Sequence, residues 1–344
     1  MVVFYGSCCA PNPQAFEGLM LMDTLILGLG LAALIAGGTW LVRGASALAA
    51  WLGVAPILIG LTIVAFGTST PELVVNVSAA LRGNTEIGFG NVVGSNIANI
   101  GLLLALTGII APLSIHRTLV VREIPMMILA CAAALVLAGG AFVGEEMSGY
   151  GRGDGLMLLL LFAVFLYYTV GAALGQRNQE DDRATEGATG SGPTIPEKRP
   201  PVIVPIVGGL LALIVGGELT VRGAVGVADA MGIPEAVIGL TVVAVGTSLP
   251  ELATTLAAAR RGQGDLAIGN IVGSNIYNLL FIWGLSVTIE PSALPSGGAV
   301  DLLVMAGFSL LLLPFAVSQN RLDRREGVLM LVGYCIYVGW LVIR

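Results

Sequence analysis

The chain has 344 residues, 56% of them apolar and 11% charged, with a mean hydropathy of +0.91 and a formal net charge of −6. A soluble domain carries about 25% charged residues, so this composition excludes a water-soluble domain. The apolar blocks run to about 20 residues, the length a bilayer-spanning helix needs, and they do not alternate as barrel strands do; the sequence therefore predicts an all-α polytopic membrane protein.

Residues 1–19, MVVFYGSCCAPNPQAFEGL, lack the positive start and extended apolar core of a signal peptide. They read as a disordered tail or as residues ahead of a tidier start at Met20 or Met22. Ten spanning helices are then predicted, near 22–42, 54–81, 87–110, 119–142, 153–174, 202–223, 234–259, 266–288, 299–317 and 326–343. Between the fifth and the sixth, Gln176 to Pro201 is polar, mixed in charge and broken by Gly, Pro and Ser, the composition of a mobile linker. The domain plan is a tail over 1–19, a first five-helix repeat over 20–175, a linker over 176–201 and a second five-helix repeat over 202–344. Cys8, Cys9, Cys131 and Cys335 have no ligand spacing and read as free thiols, buried where they fall in apolar runs.

The basic residues set the orientation. With the N-terminus outside, the inner loops and helix ends hold Arg43, Arg117, Arg122, Arg177, Arg183, Lys198, Arg199, Arg260, Arg261, Arg321, Arg324 and Arg325. The outer ones hold only Arg82, Arg152, Arg222 and Arg344. That bias favours both termini outside and the linker in the cytoplasm of a cell whose plasma or inner membrane holds the protein.

The two halves repeat at an offset of 179, without a gap from Gly37 to Asn99. GGTWLVRGA returns as GGELTVRGA, IGLTIVAFGTSTPEL as IGLTVVAVGTSLPEL, and GNVVGSNIAN as GNIVGSNIYN; between Ile59 and Asn99, 24 of 41 residues are identical. Because five is odd, the second copy enters the membrane inverted. Inverted repeats with interrupted helices are the plan of secondary transporters, whose sites lie near the bilayer midplane.

The octets AFGTSTPE (Ala65–Glu72) and AVGTSLPE (Ala244–Glu251) are where the second helix of each repeat should break. Pro71 has no N–H for the Gly67 carbonyl, Thr70 is pushed from helical dihedrals by the proline after it, and Gly67 loosens the backbone. Carbonyls from Ala65 to Thr68 are expected free, and free carbonyls at membrane depth must line a cavity or bind something. Glu72 and Glu251 then fall in the first turn of a half-helix, where the dipole favours a carboxylate. With the hydroxyls of Thr68, Ser69, Thr247 and Ser248 and the carbonyls of Ala65 and Ala244, they form an oxygen set for hard cations such as Ca²⁺ and Na⁺. The bland alternative is a kinked helix with a buried, protonated glutamate; an intramembrane acid repeated in inverted copies favours a site.

On the third helix of each repeat, Asn91, Ser95 and Asn99 share a face, as do Asn270, Ser274 and Asn278; these are candidate completing ligands. Asn91, Asn96, Asn270 and Asn275 serve equally well as interhelical hydrogen-bond glue, and Gly90 with Gly94 is expected to admit a close neighbour. Glu218 and Arg222 read as a local ion pair, Arg122 and Glu123 as interfacial, His116 as a solvated loop residue, and Glu145 and Glu146 as either an outer cation lure or a solvated loop.

At these residues the sequence resembles the sodium/calcium exchanger branch of the cation/calcium antiporter superfamily. GTSTPE with GNVVGSNIAN, and GTSLPE with GNIVGSNIYN, are similar to its two α-repeat signatures. The resemblance implies that Glu72 and Glu251 are the central Ca²⁺ ligands, shared with Na⁺. It implies that Thr68 and Thr247 coordinate partly by backbone carbonyl and that Ala65 and Ala244 offer carbonyls to flanking Na⁺ sites. Ser69, Ser248, Ser95 and Ser274 would offer hydroxyls and Asn99 an amide oxygen. Asn278 departs from members with aspartate there, which argues against potassium dependence. The expected function is a Na⁺/Ca²⁺ antiporter working by alternating access in the lipid bilayer, with no cofactor, nucleic acid or obligate protein partner. The alternative is an antiporter of divalent cations coupled to protons or another cation. An intramembrane hydrolase is disfavoured, since Ser69 has no base but Glu72, and a channel would lack counterflow.

Overall fold

The computed structural model describes residues 13–139, 149–186, 202–231, 246–319 and 321–343. The chain forms helices α1 (Pro13–Leu52), α2 (Pro56–Thr68), α3 (Thr70–Leu81), α4 (Thr85–Ile110), α5 (Leu119–Leu137) and α6 (Arg152–Glu186) in its first half. The second half holds α7 (Ile203–Ala230), α8 (Leu249–Arg260), α9 (Gly264–Ile289), α10 (Gly298–Gln319) and α11 (Arg324–Ile343). Among the described residues eight helices are long and apolar enough to cross a membrane, and nine if the bent pair α2–α3 is one span. Of the seventh predicted span, 234–259, only residues 246–259, most of them in α8, lie within the described residues.

Two boundaries differ from expectation. Helix α1 starts at Pro13, so residues 13–19 are helical rather than a disordered tail; proline at a helix start gives up only an N–H that has no partner there anyway. Helix α6 runs on to Glu186, taking in the first part of the predicted linker. QRNQEDDRATE is polar but consists mostly of good helix formers, with no Gly or Pro before Gly187. The rest of the linker lies outside the described residues, as do Cys8, Cys9, Glu145 and Glu146.

Helices α1 and α7 lie antiparallel against each other along a ladder of glycines seven apart: Gly30, Gly37 and Gly44 facing Gly209, Gly216 and Gly223. A Cβ added at Gly209 would lie 2.6 Å from the Leu41 nitrogen and 2.9 Å from the Gly37 oxygen. One added at Gly216 would lie 2.9 Å from the Leu34 nitrogen. Only glycine lets the backbones meet, and seven residues bring each one back to the same face after two turns.

The centre of the molecule is α4 and α9, packed around the broken helices. The apolar window of α9 is 94% enclosed, against 11% for α11 at the periphery. Gly269 and Gly273 of α9 lie against α2, where an added Cβ would lie 3.0 Å from the Ile57 oxygen and 2.8 Å from the Leu61 oxygen. The segment that the 179-residue offset sets against Gly90 and Gly94, residues 236–244, lies outside the described residues; among those described, nothing lies within 4 Å of a Cβ at Gly90 or Gly94. They line a cavity of about 420 Å³ together with Asn91, Ser95 and Thr247. Short links hold the repeats together at both ends. Leu113–Ser114 (β1) pairs antiparallel with Arg321–Leu322 (β2), and Tyr150 bridges Ser292. Cys131 is a buried free thiol as expected, whereas Cys335, also free, is exposed on the outside of α11.

Candidate functional site

The first octet breaks where predicted, but at a single residue. Helices α2 and α3 meet at 48°, and Ser69 alone leaves helical geometry (φ −84°, ψ 11°). Thr70, expected to be displaced, is the first residue of α3, and Pro71 sits in its first turn, where its missing N–H costs nothing. The second octet has the same shape: Ser248 (φ −89°, ψ 7°) precedes α8, with Pro250 in the first turn. Glu72 and Glu251 each lie in the first turn of the new half-helix, where the exposed peptide N–H groups favour negative charge.

The expected run of free carbonyls is partly taken up. The Ala65 oxygen accepts the Ser69 N–H at 3.0 Å and the Thr68 hydroxyl at 3.3 Å. The Phe66 oxygen accepts the Thr70 hydroxyl at 3.1 Å. Neighbouring hydroxyls re-satisfy a broken helix in this way at membrane depth. Ala244 lies outside the described residues.

The two breaks meet. Ser69 of the first repeat donates to Glu251 Oε1 of the second at 2.9 Å. In the reverse direction, Ser248 Oγ lies 3.5 Å from Glu72 Oε1, the outer limit of a hydrogen bond. Both glutamates are 1% exposed and lie within electrostatic reach of each other. The single Thr68 hydroxyl proton has a second acceptor, alternative to the Ala65 oxygen, in Asn270 Oδ1 at 3.2 Å, and Asn270 Nδ2 donates to Thr255 at 3.0 Å. Of the asparagines with two readings, Asn270 is therefore tied to its neighbours, while Asn91 keeps an unpartnered Nδ2.

Below the glutamates, α4 and α9 cross through four asparagines. Asn96 Nδ2 donates to the Asn275 backbone oxygen at 3.2 Å, and Asn275 Nδ2 to the Asn96 backbone oxygen at 3.4 Å. Asn99 Nδ2 donates to Asn275 Oδ1 at 2.9 Å, and Asn278 Nδ2 to Asn96 Oδ1 at 3.1 Å. Asn96 and Asn275 are thus interhelical glue. Asn99 and Asn278 stand where both helices widen into π turns, Asn99–Leu104 and Tyr277–Trp283. Such turns frequently mark functional positions, and nothing in the residue pattern announced them.

What remains unpartnered among the described residues is mostly oxygen: Glu72 Oε2, Glu251 Oε2, Asn76 Oδ1, Asn99 Oδ1, Asn278 Oδ1, Thr247 Oγ1, Thr254 Oγ1 and Ser274 Oγ are all buried. An unsatisfied buried polar atom costs about 1–3 kcal/mol, and an ionised one more. A hard cation removes that cost, because carboxylate, amide and hydroxyl oxygens are its preferred ligands. The described residues hold no cluster of three or more His, Cys, Asp and Glu. Two carboxylates among neutral oxygens suit an ion that must also leave. Of the predicted ligands, Glu72, Glu251, Thr68, Ser69, Ser248, Ser274, Asn99 and Asn278 are buried, as is Ser95, which with Thr247 also lines the 420 Å³ cavity. Asn76, Thr254 and Thr255 join them unforeseen. Their signal was present, since Asn76 follows Glu72 by four and Thr255 follows Glu251 by four, one turn along the same face.

The residues read as structural sit apart. Glu218 and Arg222 form an exposed ion pair at 2.6 Å. Glu123 pairs with Arg122 and is 2% exposed, more deeply buried than an interfacial position implies. His116 is exposed and its backbone N–H donates to Asp265. Among the described residues the Ser69 hydroxyl is partnered by the opposing glutamate rather than by an imidazole.

Comparison with known proteins agrees with this geometry. The sequence matches the family described as sodium/calcium exchanger protein over residues 22–171 and 202–343. It is 36% identical over 250 residues to the putative antiporter CaxA of Alkalimonas amylolytica, covering 71% of this chain and 75% of that one. It is 41% identical over 133 residues to the sodium/calcium exchanger MaX1 of Methanosarcina acetivorans, covering 38% and 37% of the two chains. The solved structure of the sodium/calcium exchanger from Methanococcus jannaschii superposes with a TM-score of 0.76 at 34% identity, covering 93% of this chain and 98% of that one.

Proposed function

The chain belongs to the sodium/calcium exchanger family, a family of membrane transporters rather than enzymes, and on that premise we propose that it exchanges Na⁺ for Ca²⁺ at one midplane site built around Glu72 and Glu251. The observation that carries this reading is the crossed pair of glutamates, each with one oxygen toward the other repeat's serine and one oxygen unpartnered. Two carboxylates balance one Ca²⁺ or two Na⁺, and the two ions therefore compete. Thr68, Thr247, Ser69, Ser248, Ser95, Ser274, Asn99 and Asn278 supply neutral oxygens around them. The Ala65 carbonyl joins if Thr68 gives up its long 3.3 Å bond, and Ala244 supplies the matching carbonyl of the second repeat. A loaded site is nearly neutral, whereas an empty one holds uncompensated charge in a medium of low polarity. Switching sides while empty is therefore the costly step, which makes the protein an exchanger rather than a leak.

Access alternates, in this reading, by movement of the α1–α7 pair against the core. Equivalent glycines of the two repeats support it by packing unequally on the opposite repeat. A Cβ on Gly38 would lie 2.8 Å from the Ala253 oxygen of the other repeat, while among the described residues the nearest atom to one on Gly217 is Pro250 of its own repeat at 3.7 Å. Repeats alike in sequence but unlike in packing are what a molecule resting in one of two related states presents. The distribution of arginines supports both termini lying outside a plasma or inner membrane.

Purified protein in proteoliposomes should take up radiolabelled Ca²⁺ when an opposing Na⁺ gradient is imposed. A proton gradient should not replace it. Glu72→Gln and Glu251→Gln should each abolish the uptake; full exchange in either variant removes the two glutamates from the site.

A further inference from the structure

The four asparagines between α4 and α9 do more than join two helices. An amide side chain has a donor end and an acceptor end, and its use as a cation ligand depends on which end faces the ion. For Asn99 that choice is made by Asn275. The Asn275 nitrogen is committed on two sides, to the Asn96 backbone oxygen at 3.4 Å and to the Met127 sulfur at 3.6 Å. Its oxygen must therefore point the other way, where it receives Asn99 Nδ2 at 2.9 Å. That leaves Asn99 Oδ1 as the end without a protein partner, buried among the other unpartnered oxygens.

The inverted copy repeats every link. The Asn96 nitrogen is committed to the Asn275 backbone oxygen at 3.2 Å and to the Met305 sulfur at 3.8 Å. Its oxygen receives Asn278 Nδ2 at 3.1 Å, and Asn278 Oδ1 is left unpartnered. A thioether accepts weakly but carries no donor, so the methionines can only fix the amides one way round.

We propose that Asn96 and Asn275 are positioning residues: they touch no ion, and they turn the amide oxygens of Asn278 and Asn99, respectively, toward the transported cations. The inference rests on the exchange reading above and assigns roles to residues for which that reading has none. With Leu at position 275, similar in volume and unable to accept, the Asn99 amide is free to present its N–H₂ group, which repels a cation.

The test is a double-mutant cycle read as ion affinity. Initial rates of Na⁺-driven Ca²⁺ uptake in proteoliposomes are measured against Na⁺ and Ca²⁺ concentration for wild type, Asn275→Leu, Asn99→Ala and the double variant. Partners that orient a metal ligand typically change affinity by about 10- to 100-fold. Asn275→Leu should accordingly raise half-saturating Na⁺ by roughly tenfold with little change in maximal rate, and should add no further shift once Asn99 is alanine. Equal shifts in both backgrounds, or a fall in maximal rate with unchanged half-saturation, overturn the proposal, because a purely structural amide would act without regard to Asn99. Should Asn275→Leu not yield folded protein, Asn96→Leu with Asn278→Ala puts the same question to the other copy. Absence of exchange in the wild type would instead refute the function, so the two failures are distinct.

Discussion

Gly209→Ala tests whether α1 and α7 meet backbone to backbone. The new Cβ would lie 2.6 Å from the Leu41 nitrogen, 2.9 Å from the Gly37 oxygen and 3.0 Å from the Leu41 Cα. Comfortable contacts for carbon are about 3.5–4.0 Å, so the helices must part by roughly 1 Å. Overpacking of this kind costs about 1–3 kcal/mol, against a gain of about 0.5–1 kcal/mol from replacing glycine in a helix. The net expectation is a loss of about 1–2 kcal/mol. The control is Gly28→Ala on the same helix α1, where among the described residues nothing lies within 4 Å of the added Cβ; it keeps the helix gain with no clash and should be neutral or stabilising. Thermal unfolding in detergent reads both, at roughly 1–2 °C per kcal/mol for a chain of 344 residues. The two substitutions should shift the midpoint in opposite directions. Shifts of the same sign and size would show that the ladder is not the tight contact it is drawn as.

The crossed serines should differ in weight. Ser69→Ala removes a 2.9 Å bond to a carboxylate, worth about 1.5–3 kcal/mol, while Ser248→Ala removes a 3.5 Å contact near the limit of bonding. Unfolding without Ca²⁺ or Na⁺ should therefore be lowered more by Ser69→Ala, and equal losses would contradict the asymmetry. Potassium should be dispensable, since Asn278 supplies a neutral oxygen where a third carboxylate would draw another cation: exchange measured with choline in place of K⁺ should keep its rate, and a strict requirement for K⁺ would refute that reading of Asn278.

Much of this was legible in the sequence because its signals were local or repeated. Pro71 and Glu72 mark a broken helix with an acid on its far side, and the second copy 179 residues on shows that the acid is not incidental. Other features depended on information outside any single stretch. The break falls at Ser69 rather than Thr70 because Ser69 can reach across to Glu251, a contact 182 residues away.

The crossing itself constrains how such a site can work. Were each glutamate held by its own repeat, either half could assemble a cation site and the two would bind independently. Here Glu251 is anchored by Ser69, Ser248 lies toward Glu72, and Asn99 and Asn278 are each fixed by an asparagine of the opposite copy. If the proposed site is right, no half is complete alone, and an ion entering from either side would meet ligands from both repeats. Any motion that withdrew one broken helix would then lower the affinity of the whole set at once rather than of half of it. A single shared site with that property could not hold Na⁺ and Ca²⁺ in full complement together, and the proposed competition would follow from the geometry rather than from an added gate.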